Sequence, residues 1–313
     1  EVAARRGQLH QMLNQTGAGA SVCDWSEEAR TPEAAYALID RALGEFAAAR
    51  PRPKALHVPI SLLGQAVRPA PMPAQETQLP QVSHNRMTEV VNAVFAAERP
   101  LFVFGGGARG GAEVAAGVLR MTGAASFTTY AGRGIVPKGA PLHFGSFLAR
   151  PSSAEVFAQA NLVVALGTEL SEVDLWRDEP GHSGRMIRVD IDPEVLSGLK
   201  ASDMAVQGDA GALLRAMAVA IPARTEDRRP RWDIAAVARQ RAAWRAEVMS
   251  ERPGIVEVAE ALQAAMPDDA MIYSDMTQFA YGAKEVWDMP RAGHWHHPYG
   301  FGTLGYALPA AIG

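Results

Sequence analysis

The chain has 313 residues, 48% hydrophobic and 20% charged, with a formal net charge of -4. That composition excludes a disordered chain, and the mild acidity argues against nucleic acid as a partner, since phosphate binding calls for a basic surface. The single cysteine, Cys23, excludes an internal disulfide and a cysteine-cluster metal site and suits a reducing, cytoplasmic setting; no apolar run approaches the ~18 residues that span a bilayer, so no membrane partner is expected.

The opening residues, Glu1 to Arg6, have no apolar segment behind them and do not read as a signal peptide. Thr31-Pro32-Glu33 predicts a helix start, with Thr31 as cap and Pro32 at the first helical position. Ala35, Leu38, Ile39, Ala42, Leu43 and Phe46 continue it at a period near 3.6. One strand follows, Ala55 to Ile60. A helix and one strand make only the last αβ unit of a domain, so residues 1–66 read as a domain tail. Pro69, Pro71, Pro73 and Pro80 mark residues 67–85 as a semi-extended linker.

Residues 86–222 predict a complete open α/β domain. Helices are expected at Met87–Ala97, Ala112–Thr122, Ser153–Gln159 and Ala210–Ala220. Strands are expected at Leu101–Phe104, Ala125–Thr129, Leu162–Leu166, Met186–Ile191 and Met204–Val206. Continuous apolar strands alternating with helices predict a parallel sheet covered on both faces. Residues 223–252 read as a charged helical connector containing Trp232 and Trp244. Residues 253–313 open a third region: a helix through Ile255, Val258, Ala259, Leu262 and Ala265, a strand Met271–Tyr273, and a helix Gln278–Trp287. Its last residues, Leu308 to Gly313, read as a helix just begun. Together with the uncapped start at Glu1, that predicts a fragment of a longer polypeptide. The fold class is therefore α/β with parallel sheets, the central domain complete and the flanking ones incomplete.

Several motifs invite chemistry. Gly300-Phe301-Gly302-Thr303-Leu304-Gly305 matches the dinucleotide pattern G-x-G-x-x-G, but Trp295 to Tyr299 do not read as the buried strand that pattern requires, and no acid follows at the right distance. Gly105-Gly106-Gly107 sits between a strand and a helix, where a helix N-terminus favours an anion near Gly106; tight strand–helix packing explains it equally. Asp190, at a strand end, suits a ribose, while Asp192 suits the cap of a helix beginning at Pro193. His296 and His297 are adjacent and point opposite ways, which disfavours a metal site; His143, His182 and His294 are isolated and read as surface or structural residues.

Three passages, in this order, resemble the thiamine-diphosphate-dependent enzymes of the acetolactate synthase type. They are Arg50-Pro51-Arg52-Pro53-Lys54-Ala55-Leu56-His57-Val58-Pro59, then Pro100 to Ala108 with Val189 to Asp192 and Gly208-Asp209, and finally Gly300 to Gly313. The last is similar to G-x-G-x-M-G-x-x-L-P-A-A-I-G in the family's diphosphate-binding domain. The resemblance implies a three-domain architecture and a thiamine-diphosphate-dependent decarboxylase or carboligase acting on a 2-oxo acid. It implies that Leu304 takes the place of the apolar residue under the bend of the cofactor, with Thr303 beside it, and that the Gly302 carbonyl meets the aminopyrimidine. Asp275-Met276-Thr277-Gln278 resembles D-V-G-Q, so Gln278 is expected on the diphosphate side, with Thr277 departing from the pattern. The resemblance further implies a homodimer or homotetramer with sites between subunits.

The same resemblance places the catalytic glutamate before Glu1 and the Mg2+-binding G-D-G…N motif after Gly313, so no catalytic residue and no metal ligand is expected within these residues. FAD is not expected either. Phe144-Gly145-Ser146-Phe147 lacks the histidine of the corresponding flavin segment, and Gly167 to Glu172 lacks the arginine and presents Glu169 and Glu172 to where a pyrophosphate would lie. The alternative reading is a non-catalytic nucleotide-binding or regulatory protein that reuses the central domain; a third is a nicotinamide oxidoreductase. The 313 residues by themselves are predicted not to bind thiamine diphosphate with Mg2+. Isothermal calorimetry checks this, and micromolar binding would contradict it.

Overall fold

The computed structural model describes residues 11–69, 78–223 and 231–313, which fall into two compact units, Glu1–Pro80 and Gln81–Gly313. Glu1 to Arg6, linker prolines Pro71 and Pro73, and connector residues 224–230 lie outside the described residues.

The first unit begins with helix α1 (Gln15–Ala20), capped by Asn14, whose Oδ1 accepts from Gly17 N at 2.8 Å. Strand β1 (Trp25–Glu28) follows, then α2 (Pro32–Ala48), β2 (Lys54–His57) and α3 (Ile60–Leu63). Thr31 caps α2 through Ala34 N, with Pro32 at the first position. β1 and β2 pair in parallel, Trp25 opposite Lys54 and Glu28 opposite His57. The sequence reading found only β2. Trp-Ser-Glu-Glu carries too little apolar pattern to read as a strand. Tertiary partners hold it instead, with Ser26 Oγ 2.8 Å from His57 Nε2, and Trp25 Nε1 donating to Glu45 Oε2 at 2.9 Å. The strand expected to reach Ile60 stops at His57, and Ile60 begins α3.

The second unit is built on α4 (His84–Ala96), β3 (Pro100–Phe104), α5 (Ala112–Thr122), β4 (Ala125–Thr128), α6 (Ser153–Gln159), β5 (Leu162–Leu166), α7 (Glu172–Leu175), β6 (Arg185–Asp190), β7 (Met204–Gln207) and α8 (Ala210–Ala220). The strands form one parallel sheet in the order β4-β3-β5-β6-β7. Alternation along the strands divides the core. Phe102 and Phe104 of β3 pack with Val90, Val94, Val118 and Leu214 on one face, while Leu101 and Val103 pack with Phe127, Phe157 and Trp244 on the other.

Helix α9 (Ile234–Glu251) lies in the segment that reads as a connector, yet it covers the second face of the sheet. Val237, Trp244 and Val248 form its buried stripe, and Trp232 just ahead is buried too. The Trp244 ring lies 5.5–6.0 Å from Phe127, Phe144 and Phe147, and its Nε1 donates to Ser152 Oγ at 2.8 Å. Trp232 Nε1 donates to Pro100 O at 3.0 Å. Both indoles thus bury a large apolar body with the polar tip paired.

Next come α10 (Ile255–Ala265), β8 (Ile272–Tyr273), α11 (Gln278–Val286), β9 (Trp295–His296) and α12 (Ala307–Ile312). β8 and β9 pair in parallel over two residues. Trp295 is therefore a buried strand residue, contrary to the sequence reading; its ring meets Trp287 edge-on at 5.4 Å. Among the described residues no helix is long and apolar enough to cross a membrane.

Trp244→Ala is predicted to destabilise the second unit by about 3–5 kcal/mol, because the fully buried indole leaves a cavity and orphans Ser152. Chemical denaturation followed by circular dichroism measures it. A change below about 1 kcal/mol would mean that α9 is not part of the core.

Candidate functional site

The strand order reverses between β3 and β5, which is where an open parallel sheet offers its ligand crevice. In this chain the two loops fill that crevice with each other. Gly107 N donates to Gly167 O at 3.0 Å, and a Cβ on Gly105 would run into the Gly167 carbonyl. Gly106 starts a 3-10 turn, Gly106–Gly111, so the N-terminus of α5 begins only at Ala112 and does not face the glycine run. The Gly106 carbonyl accepts from Arg109 Nε at 2.9 Å. Asp190 is buried, and its Oδ1 accepts from Asp192 N at 3.0 Å. Asp192 caps a turn through Glu194 N at 3.0 Å; the helix expected at Pro193 is absent from these described residues.

The other predicted residues gather around the end of β8. Asp275 accepts three backbone hydrogen bonds: Gly305 N at 3.1 Å, and Tyr306 N and Ala307 N at 2.8 Å each. One carboxylate thereby holds the glycine-rich loop to the sheet and caps the start of α12. Ser274 beside it accepts from Trp295 Nε1 at 2.7 Å and lies 2.8 Å from His297 Nδ1. Gly302 adopts φ +66°, a left-handed conformation that suits glycine, and a Cβ there would stand 3.2 Å from Met276 Cε. Thr303 is exposed, and Leu304 is 74% exposed despite being apolar. Gln278 is the first residue of α11, capped by Thr277 through Ala280 N, and is exposed; its Oε1 accepts from Arg252 Nε at 3.3 Å. Met276 thus links the Gly302 loop to the turn that carries Gln278.

His296 stacks on Tyr273 at 5.0 Å, while His297 is buried on the other side against Tyr299. Burial pushes His297 down to about 4, with the positive charges of Lys284 and Arg133 adding to the effect. His143 is buried beside Ser126, and burial takes it down to about 3, so it is a neutral core histidine. Among the described residues no group of three His, Cys, Asp or Glu could hold a metal.

A cluster that sequence reasoning missed lies where the third region meets the sheet domain. It surrounds a cavity of about 480 Å3, whose lining includes Tyr130, Arg150, Met276, Gln278, Lys284 and Tyr299. Arg150 Nε and Nη2 donate to both oxygens of Glu285, at 2.5 and 2.7 Å, with both residues buried. Burial pushes the Glu285 carboxyl upward, opposed by those two bonds; the Arg150 guanidinium is held further up by Glu285 and Glu251. Arg133 lies 4.1 Å over the Trp295 ring and donates to Lys284 O at 3.3 Å. Lys284 is 4% exposed, and burial followed by the Arg133 charge lowers it to about 8. Asp174 is raised to about 6, chiefly by burial. A lysine and a glutamate inside an α11 face otherwise made of Ala280, Gly282 and Ala283 were the available sequence signal.

A family model described as thiamine pyrophosphate enzyme, central domain, matches residues 87–217. Over 309 residues, 98% of the chain, the sequence is 35% identical to the probable 2-ketoarginine decarboxylase of Pseudomonas aeruginosa, of which it covers 55%. It is 24% identical over 259 residues to the acetolactate synthase isozyme 1 large subunit of Escherichia coli, covering 78% of this chain and 43% of that protein. It is 27% identical over 247 residues to the pyruvate oxidase of Lactiplantibacillus plantarum, covering 76% and 40%. The fold matches an X-ray structure from Mycobacterium smegmatis assigned to the thiamin diphosphate-dependent enzymes, with a TM-score of 0.69 and 19% identity, over 93% of this chain and 56% of that one. The chain spans about half the length of the curated relatives it matches.

Arg150→Ala leaves Glu285 buried and unpaired and is predicted to cost about 3–5 kcal/mol of stability, whereas the double change Arg150→Met with Glu285→Leu restores most of it. Urea denaturation of the two variants and the unchanged chain checks this. Equal losses in the single and double variants would contradict it.

Proposed function

This chain belongs to the thiamine-diphosphate-dependent, acetolactate synthase-like enzymes, and on that premise we propose that its parent polypeptide is a decarboxylase or carboligase acting on a 2-oxo acid. The observation that carries the reading is the loop held by Asp275. Three amides bound to one carboxylate fix Gly302 in a left-handed turn and leave Leu304 standing out of the loop with most of its apolar surface bare. Such a residue fits the underside of a bent organic cofactor, and Gly302 permits the close approach that a side chain would block.

In this reading Leu304, Thr303 and the Gly302 carbonyl hold the pyrimidine side of thiamine diphosphate, and Gln278 stands on the diphosphate side. When bound, the cofactor supplies a carbanion at its thiazolium ring and an electron sink for loss of CO2. This chain's residues orient it: Asp275 sets the loop, and Met276 spaces Gly302 from the start of α11. In this reading Mg2+ falls to the G-D-G…N motif that the family resemblance implies, and no residue named here is given that role. The relative named for 2-ketoarginine makes a 2-oxo acid with a long cationic side chain the first substrate to try.

The reading includes no flavin. Phe144 and Phe147 are buried in the aromatic core around Trp244, while Glu169 and Glu172 are exposed acids. Residues 86–222 then serve as the spacer domain, residues 1–66 and 253–313 as parts of the pyrimidine- and diphosphate-binding domains, in a cytoplasmic homodimer or homotetramer. Gly106 and Asp190 support packing rather than a nucleotide.

The complete polypeptide encoded by the gene, supplied with thiamine diphosphate and Mg2+, is predicted to release CO2 from a 2-oxo acid. Leu304→Ala should lower kcat about 10–100-fold, and Leu304→Met should retain activity within about threefold. A coupled CO2-release assay measures both. No release from any 2-oxo acid tried, or full activity in Leu304→Ala, would defeat the proposal.

A further inference from the structure

We propose that the cavity beside α11 is a binding site for a small organic carboxylate, with the Lys284 ammonium as its anchor and the Tyr299 hydroxyl as a second donor. This goes beyond the reaction proposed above and does not require the cofactor.

Lys284 Nζ lies 4.4 Å from the Tyr130 ring, 5.4 Å from Tyr281 and 5.1 Å from Tyr299. Three tyrosine faces stabilise an ammonium by their negative π surfaces, but they supply no counterion. The two glutamates that line the cavity are already paired with arginines. Both Glu285 oxygens are taken by Arg150, and Glu251 is bridged by Arg150 at 2.7 Å and Arg252 at 3.0 Å. Asp174 and Glu285 attract Lys284 through space, but Lys284 makes no ion pair or side-chain hydrogen bond among the described residues, although it is only 4% exposed. A buried lysine that lines a cavity with no carboxylate in contact is a position where an anion can bind.

A second donor reinforces the sign. Tyr299 Oη is buried and its residue lines the cavity; the neighbouring Arg133 guanidinium can only donate to that oxygen, which leaves the phenol's own O–H free to donate. Buried donors left unpaired are costly and mark a place where a ligand or water completes the set. A carboxylate spanning the ammonium and the phenol satisfies both. The walls then set the rest of the ligand. Tyr130 and Tyr299 lie nearly parallel, 3° apart with centroids at 6.3 Å, and Met276 adds a soft apolar surface. The volume of about 480 Å3 suits a compact acid with an apolar or planar body rather than a nucleotide.

The chemistry is shared by a 2-oxo acid substrate and by an unrelated acidic effector, and the test separates them. Binding to the 313-residue chain, without thiamine diphosphate, is followed by titration calorimetry and by ligand-dependent rise in melting temperature. The probes are a 2-oxo acid (4-methyl-2-oxopentanoate), the matching acid without the oxo group (4-methylpentanoate), and inorganic phosphate. Saturable binding of both carboxylates, weakened about ten- to hundredfold in Lys284→Met and several-fold in Tyr299→Phe, supports the site. Binding of the 2-oxo acid alone assigns it to the substrate; equal binding of both assigns it to an effector. Phosphate binding as tightly as the carboxylates, or unchanged affinity in Lys284→Met, would overturn the proposal. So would no binding by a chain whose wild-type melting is cooperative. Since these readouts omit the cofactor, they can fail while CO2 release succeeds, and the reverse.

Discussion

A guanidinium and a carboxylate removed from water hold the second unit in its arrangement. Arg150, in the turn before α6, meets Glu285, in the last turn of α11, through two short parallel bonds. Desolvating two charges costs several kcal/mol, and only close bidentate geometry recovers it. That requirement is directional. Shifting α11 by one turn, or rotating it, would leave a bare buried charge, so the pair fixes where the third region sits on the sheet domain. Arg133 adds a second link, lying over Trp295 and donating to the Lys284 carbonyl.

The cavity follows from that register. With α11 placed by Glu285, the preceding residue, Lys284, is directed toward Tyr130 from the loop after β4 and Tyr299 from the loop after β9. The three residues are 15 to 169 positions apart in the chain, as their numbers show. The depressed Lys284, the raised Asp174 and the depressed His297 all come chiefly from one cause, burial in an interface crowded with other charged groups.

The sheet domain contributes rigidity rather than a ligand crevice. Glycines at 105, 107 and 167 allow the loops after β3 and β5 to touch backbone to backbone, closing the point where the strand order reverses. The opposite face is sealed by Trp244 and Trp232 of the segment that reads as a connector. A helix with arginines and glutamates over most of its surface still belongs to the core when one stripe carries Val237, Trp244 and Val248.

The amino-acid sequence alone determined the strands of the central domain and its helices other than α7, because a parallel sheet buried on both faces leaves continuous apolar runs such as Leu162 to Leu166 between glycines and caps. It also determined the glycine-rich loop and its Asp275-to-Gln278 companion as a matched pair of motifs. It did not disclose β1 or β9, whose short polar or aromatic segments become strands only by pairing with β2 and β8. Nor did it disclose that Asp275 binds three amides about thirty residues away, that the glycines of the loop after β3 meet Gly167, or that Arg150 finds Glu285. Local periodicity reports which residues avoid water. Which buried charge meets which partner is decided by distances that exist only once the sheet, α9 and α11 are packed, and the candidate sites of this protein depend on those distances.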